Sequence, residues 1–218
     1  MAEKRSKNKW HTPAERIMML GFAAVILLGT VLLCLPVSAA DGKSVSWIDA
    51  LFTATTSVCV TGLVTVPTAT TWSTFGKIVI LGLIQFGGLG IMACLTMVLL
   101  ILRRKISLQS RKLIQDTYNL PVLKGSVGIV RKLLIGTAAV ELAGAFLYSF
   151  WFVPEYGFWK GIGYSLFHSV SAFCNAGIDL VGESSFAPFV TNPLMNFTTM
   201  GLILLSGLGF PVWWEVLE

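Results

Sequence analysis

The apolar positions of the chain gather into four long runs, approximately Ile17–Val37, Phe75–Leu102, Leu133–Val153 and Pro193–Trp214. A bilayer's hydrocarbon core is about 30 Å thick and takes roughly 20 helical residues to cross, so each run predicts a spanning helix. Two shorter stretches, Val45–Leu63 and Gly161–Ile178, lie between the first and second runs and between the third and fourth. Their repeated parts, Leu51–Leu63 and Leu166–Ile178, are too short to cross, and each stretch predicts a short amphipathic helix that dips in from the outer side and returns through a Gly-containing loop. The pattern is helix, short helix, helix, twice over: an all-α integral membrane fold of repeated helix–pore-helix–helix units with re-entrant loops.

The two short stretches are copies. Leu51-Phe52 is followed by Cys59 and Gly62, and Leu166-Phe167 by Cys174 and Gly177, with identical spacing. Further on, Leu83-Ile84, Gly88-Leu89 and Gly90 recur as Leu202-Ile203, Gly207-Leu208 and Gly209. The second copy gains its extra residues around Ser184–Asn192. Repetition at this scale marks an internal structural repeat, and it divides the chain into 1–16, a first repeat 17–102, a linker 103–132 and a second repeat 133–218. Short membrane helices ending in Gly loops are how ion selectivity filters are built, which points to half of a potassium-conducting protein.

Composition agrees: 55% of residues are hydrophobic and 12% charged, against about 25% charged in soluble domains. Of the 16 Lys and Arg, all but Lys43, Lys77 and Lys160 lie before the first run or in and beside the central linker. That asymmetry places the N-terminus and linker in the cytoplasm. It also explains the net charge of +5 without nucleic acid as a partner. Trp47, Trp72, Trp151 and Trp159 fall near the predicted outer interface and Trp10 near the inner one, where amphipathic rings are stable. The start also imitates a signal peptide with a cleavage site at Val37-Ser38-Ala39, but its apolar stretch exceeds the usual ~7–15 residues. Cleavage would strip the first repeat of its leading helix.

The segments Ser57-Val58-Cys59-Val60-Thr61-Gly62-Leu63 and Ala172-Phe173-Cys174-Asn175-Ala176-Gly177-Ile178, with the Gly-Leu-Gly stretches behind them, resemble the Trk/Ktr/HKT superfamily of potassium transporters, and within it the Ktr-type branch. The resemblance implies four such repeats around a pseudo-fourfold pore, of which this chain carries the first two. It implies potassium as the transported ion with no organic cofactor. It also implies a homodimer of membrane subunits seated on a cytoplasmic nucleotide-binding regulatory ring.

A dehydrated potassium ion needs its water oxygens replaced, and backbone carbonyls do so without a full charge. The expected filters are Val58–Leu63 and Phe173–Ile178. The carbonyls of Val58, Cys59, Val60 and Thr61, and of Phe173, Cys174, Asn175 and Ala176, are the expected ligands. Gly62 and Gly177 supply unusual dihedrals. Short helices over roughly Trp47–Ser57 and Gly161–Ala172 would aim their negative C-terminal ends at the cation. Serine at the first filter glycine goes with sodium permeation in the family, so Gly62 implies potassium preference.

Other residues carry alternatives. The Gly87–Gly90 and Gly207–Gly209 stretches serve helix packing or a bend. Cys34, Cys59, Cys94 and Cys174 lack metal-ligand spacing. His168 suits a local hydrogen bond. Glu141, costly inside a span, faces protein or water, bonding a neighbouring pore helix or assisting conduction. Asp179 is an outer-mouth carboxylate or a loop cap. The linker's Leu108, Leu113, Ile114 and Tyr118 form one apolar helical face ending before Pro121. From other classes, Glu141 and His168 as the acid and base of a membrane enzyme find no nucleophile beside them. A structural or assembly subunit would not need the duplicated loop.

Overall fold

The computed structural model describes residues 14–90, 93–94, 126–182, 185–209 and 212–213. The predicted linker helix around Leu108–Tyr118, and most of the N-terminal segment 1–16, lie outside them. Among the described residues seven α-helices follow in order: α1 Ala14–Leu33, α2 Trp47–Val58, α3 Thr68–Thr71, α4 Thr74–Leu89, α5 Ser126–Tyr156, α6 Phe158–Phe173 and α7 Pro193–Leu208. Among the described residues there is no strand beyond one isolated bridge, Ala39 to Trp72.

The helices fall into two like groups. In the first, α1 packs on α2 and α4; in the second, α5 packs on α6 and α7; α4 reaches across to α6. The short helices begin at defined caps. The Ser46 hydroxyl accepts from the Asp49 N–H at 3.2 Å and donates to the Asp49 carboxylate at 2.8 Å, an arrangement that satisfies orphan groups at the start of α2. Ser46 first, and then Thr65, hold the Asp49 carboxyl below its ordinary range. Ser73 and Asn192 cap α4 and α7 in the same way.

Burial runs inside out relative to a soluble bundle. Along α5 the residues Val130, Leu133, Thr137, Glu141, Gly144, Tyr148 and Phe152 form a buried stripe at spacings of three and four, while Ile135, Leu142, Phe146 and Phe150 are exposed. The inner stripe holds the polar groups and the outer face is apolar. The outer faces of α1 (Leu20, Leu27, Leu28) and α7 (Phe197, Leu204, Leu208) repeat the pattern. Exposed apolar area on this scale needs a lipid or protein partner. Among the described residues, Val130–Tyr156 of α5 is the stretch long and apolar enough to cross a bilayer by itself.

Two expected boundaries move. Ser126–Lys132, read as linker, forms the first two turns of α5, whose buried stripe already starts at Val130, with Arg131 and Lys132 on the exposed side. The second and fourth apolar runs, expected to be continuous, are cut. α4 ends at Gly90 (φ 81°, ψ 148°) and α7 at Gly209 (φ 79°, ψ 152°). The N–H of each donates three residues back, to Gly87 and Ser206, at 3.2 Å in both. Helical backbone appears again at Ala93–Cys94 and Val212–Trp213.

Candidate functional site

The sequence copies become structural copies at the ends of α2 and α6. Val58 and Phe173 are the last residues of these helices, and Cys59 and Cys174 cap them with right-handed dihedrals. Val60 (φ 49°) and Asn175 (φ 58°) then turn left-handed. That reversal lets the Thr61 N–H reach the Thr56 carbonyl at 3.0 Å and the Ala176 N–H reach that of Ser171 at 2.8 Å. The 6→1 bond over a left-handed residue is the Schellman closure of a helix end. Its usual glycine is missing from both copies. A β-branched valine there is a backbone outlier, and such strain concentrates at functional sites.

Gly62 (φ 78°) and Gly177 (φ 66°) follow, both left-handed. A Cβ on Gly62 would stand 2.8 Å from the Ala176 carbonyl oxygen and 3.4 Å from the Gly177 Cα, and one on Gly177 would stand 3.6 Å from the Gly62 Cα. The two loops therefore meet backbone to backbone. Of the residues expected to line the site, Val58, Phe173, Cys174 and Ala176 are buried, whereas Cys59, Thr61, Asn175 and Gly177 are exposed. Beside the meeting point lies a cavity of about 370 Å³ bordered by Gly62, Gly177, Thr65, Thr68, Asp179 and Ser185.

Hydroxyls allow α2 and α6 to be buried without orphan polar groups. Thr55 and Ser57 donate to the Leu51 and Thr53 carbonyls, at 2.7 and 2.6 Å, and Ser165 donates to that of Gly161 at 2.8 Å. Others brace the loops: Thr56 and Thr61 share a hydroxyl bond of 2.6 Å, and Ser171 donates to the Ile178 carbonyl at 2.6 Å. Asn175 Nδ2 donates to the Ser206 hydroxyl at 2.7 Å, tying the second loop to α7 one turn before its break.

The glycines of α4 resolve into both readings. A Cβ on Gly87 would run into the Val58 backbone, and one on Gly88 into the Cys174 side chain; these two residues serve close packing. Gly90 and Gly209 make the break. His168 binds locally, as expected: Nδ1–H donates to the Tyr164 carbonyl at 2.7 Å, leaving Nε2 to accept from the Leu180 N–H at 3.1 Å, with the ring stacked on Phe152 at 4.7 Å. Asp179 makes the bonds of a loop cap, accepting from the Val181 N–H at 2.9 Å and the Ser185 hydroxyl at 2.6 Å, and also borders the cavity beside Gly62 and Gly177. All four cysteines are free thiols.

Glu141 has a partner that sequence reasoning missed. Its carboxylate accepts from Gln85 Nε2 at 3.0 and 3.2 Å, while its backbone carbonyl accepts from Ser169 on α6 at 2.6 Å. Gln85 Oε1 lies 3.9 Å from the Cys174 sulfur. The signal was present, since Gln85 is the polar side chain in the otherwise apolar stretch Ile78–Gly90.

Comparison with known proteins gives one answer. The family described as TrkH, cation transport protein, matches residues 6–218. The chain is 41% identical to the Ktr system potassium uptake protein B of Bacillus subtilis, aligning 99% of the chain with 48% of that protein. It is 40% identical to the potassium/sodium uptake protein NtpJ of Enterococcus hirae, over 99% of the chain and 47% of the relative. It is 39% identical to the Ktr system potassium uptake protein B of Vibrio alginolyticus, over 96% and 45%. The chain spans about half the length of the curated relatives it matches, and it belongs to the TrkH family of cation transport proteins.

Proposed function

We propose that this chain supplies two filter segments of a potassium-uptake pore in the cell membrane. The observation that carries the reading is the twofold recurrence of one strained helix end, a left-handed non-glycine residue followed by a left-handed glycine, with the two glycine backbones in contact. The Schellman closure turns the chain sharply at the end of each short helix, and in this reading the carbonyls of Val58–Thr61 and Phe173–Ala176 are the ion ligands, that of Val58 also lying against Gly87 of α4. Those carbonyls replace hydration oxygens in a setting whose hydroxyls are already satisfied by protein partners. The relatives named as potassium uptake proteins support potassium as the transported ion.

In this reading α2 and α6 are pore helices entering from the outer face, and Val58–Leu63 and Phe173–Ile178 are re-entrant filters. The N-terminus and the 103–132 linker are cytoplasmic, and no organic cofactor is bound. A chain completed to the length of its relatives contributes four such loops to one pore, dimerises, and docks on a cytoplasmic nucleotide-binding ring. The breaks at Gly90 and Gly209 let α4 and α7 bend away beneath the filters.

The test is ion flux in proteoliposomes containing a chain completed to its relatives' length, with and without Gly62→Ser. Potassium-selective flux, with a reversal potential in mixed salt that moves toward sodium in the variant, supports the reading. An unchanged reversal potential overturns the filter assignment.

A further inference from the structure

Lys77 and Lys160 belong to the three basic residues that stand apart from the N-terminal and linker clusters, and the fold brings them together. Lys77 lies in the first turn of α4 and Lys160 in the first turn of α6. The Lys77 ammonium is 5.9 Å from the centre of the Tyr164 ring, and the Lys160 ammonium is 5.4 Å from the same centre and 5.3 Å from that of Tyr156. Each is placed for a cation–π contact. Lys77 also donates to the Ala69 carbonyl at 2.7 Å, which fixes the head in place but leaves its charge uncompensated. Among the described residues, neither lysine pairs with a carboxylate.

Two like charges on one ring repel, and both stand at helix N-termini, where the macrodipole already disfavours a cation. The first turn of α6 adds to this, because its Gly157 cap offers no side-chain acceptor and no acidic residue follows it. An anion at this point would relieve all three effects. The surroundings specify what kind of anion. Phe158 and Trp159 open α6 at 59% and 85% exposure, and Ile78, the neighbour of Lys77, is 61% exposed. Interfacial aromatic side chains beside paired cations, with apolar surface below them, match a phosphate head above acyl chains. A soluble anion would leave that apolar surface uncovered.

We propose that Lys77 and Lys160 form the headgroup site of an anionic phospholipid on the membrane face where α4 and α6 begin. The phosphate sits on the two ammonium groups and the N-terminal turn of α6, and the acyl chains lie on the exposed apolar side chains of the two helices.

The experiment is lipid retention by native mass spectrometry of the detergent-purified chain, comparing phosphatidylglycerol with phosphatidylcholine of the same acyl composition. Phosphatidylglycerol is retained preferentially. K77Q/K160Q lowers its retention by about tenfold or more and leaves phosphatidylcholine unchanged, while K77R/K160R keeps the preference. Equal retention of the two lipids by the unmodified chain overturns the proposal, as does a preference that survives the double glutamine variant. Displacement of phosphatidylglycerol by millimolar inorganic phosphate at matched ionic strength also overturns it, in favour of a soluble-anion site. Circular dichroism checks folding of the double variant. Should that variant lose helix, K160Q alone, at an exposed position, decides by the same comparison.

Discussion

Gly62 and Gly177 occupy equivalent positions, yet the fold burdens them unequally, and that inequality can be measured. Replacing either by serine places a side chain at a left-handed φ, a cost of about 1–2 kcal/mol. At Gly177 that is the main cost, because the new Cβ would lie 3.6 Å from its nearest neighbour, an ordinary contact. At Gly62 the new Cβ would lie 2.8 Å from the Ala176 carbonyl oxygen. That oxygen is part of rigid backbone, held in a loop whose N–H already closes on Ser171. Forced expansion of a packed site adds about 1–3 kcal/mol, so Gly62→Ser should cost about 2–5 kcal/mol in all. The atom displaced is one of the expected ion ligands, so the disturbance falls on selectivity as well as stability. Each 1.4 kcal/mol of differential ion binding is a tenfold change in preference. Thermal unfolding of the two variants in detergent, beside Gly82→Ala as a helical control with open space at its Cβ, gives the stability order. Reversal potentials of the completed chain give the selectivity order. The expected ranking of damage is Gly62→Ser, then Gly177→Ser, with Gly82→Ala neutral or stabilising by up to about 1 kcal/mol. A Gly177→Ser variant at least as damaged as Gly62→Ser in both measurements would refute the argument.

Gly88→Ala should destabilise the chain, since the methyl meets Cys174, while Gly207→Ala at the equivalent position meets nothing within 4 Å and should not; thermal unfolding separates the two. Gln85→Leu leaves the buried Glu141 carboxylate without its side-chain partner and should cost about 1–3 kcal/mol. Adding Glu141→Leu should recover part of that loss, and a double variant no more stable than the single one would contradict the pairing. Ser46→Ala removes the α2 cap, at about 1 kcal/mol. It should also let the depressed Asp49 carboxyl rise toward its ordinary value. Because that pKa is lowered in the folded chain, its stabilisation is present above the ordinary carboxyl range and lost as pH falls through the lowered value. NMR titration of the Asp49 carboxyl, with unfolding followed below about pH 4, checks both statements.

Of the two short helices, α2 was legible nearly to the residue, whereas α6, expected over Gly161–Ala172, begins three residues earlier at Phe158. α2 was expected over Trp47–Ser57 and runs to Val58, its end marked by the repeat, while the Ser46–Asp49 cap at its start came only from the structure. The helix breaks were legible only as one of two options. Hydropathy counts glycine as no interruption, and a positive φ at Gly90 leaves no trace in composition. The left-handed turn at Val60 was the least visible feature, since a β-branched residue argues against that conformation. Its one sequence signal was indirect: the second copy places Asn175, a residue tolerant of left-handed dihedrals, at the same point of the repeat. The pairing of Gln85 with Glu141 was hidden for another reason. The two residues lie on different spans, and only the packing of α4 against the second group of helices brings them together.

That packing is why the two repeats do not behave as independent modules. Gly87 takes the backbone of Val58 from its own repeat, Gly88 takes Cys174 from the next, and Gln85 bridges Glu141 and Cys174 a turn earlier. One face of α4 thus sets the position of both loops, and the absence of side chains at two consecutive positions is what allows both to approach. The corresponding face of α7 is used only in part. Ser206 holds its own repeat's loop through Asn175, while Gly207, the counterpart of Gly88, meets no neighbour within 4 Å among the described residues. The register of the second loop is thus fixed by Gly88 of α4 as much as by its own short helix. A disturbance of α4 should therefore reach both loops rather than stay in its own repeat.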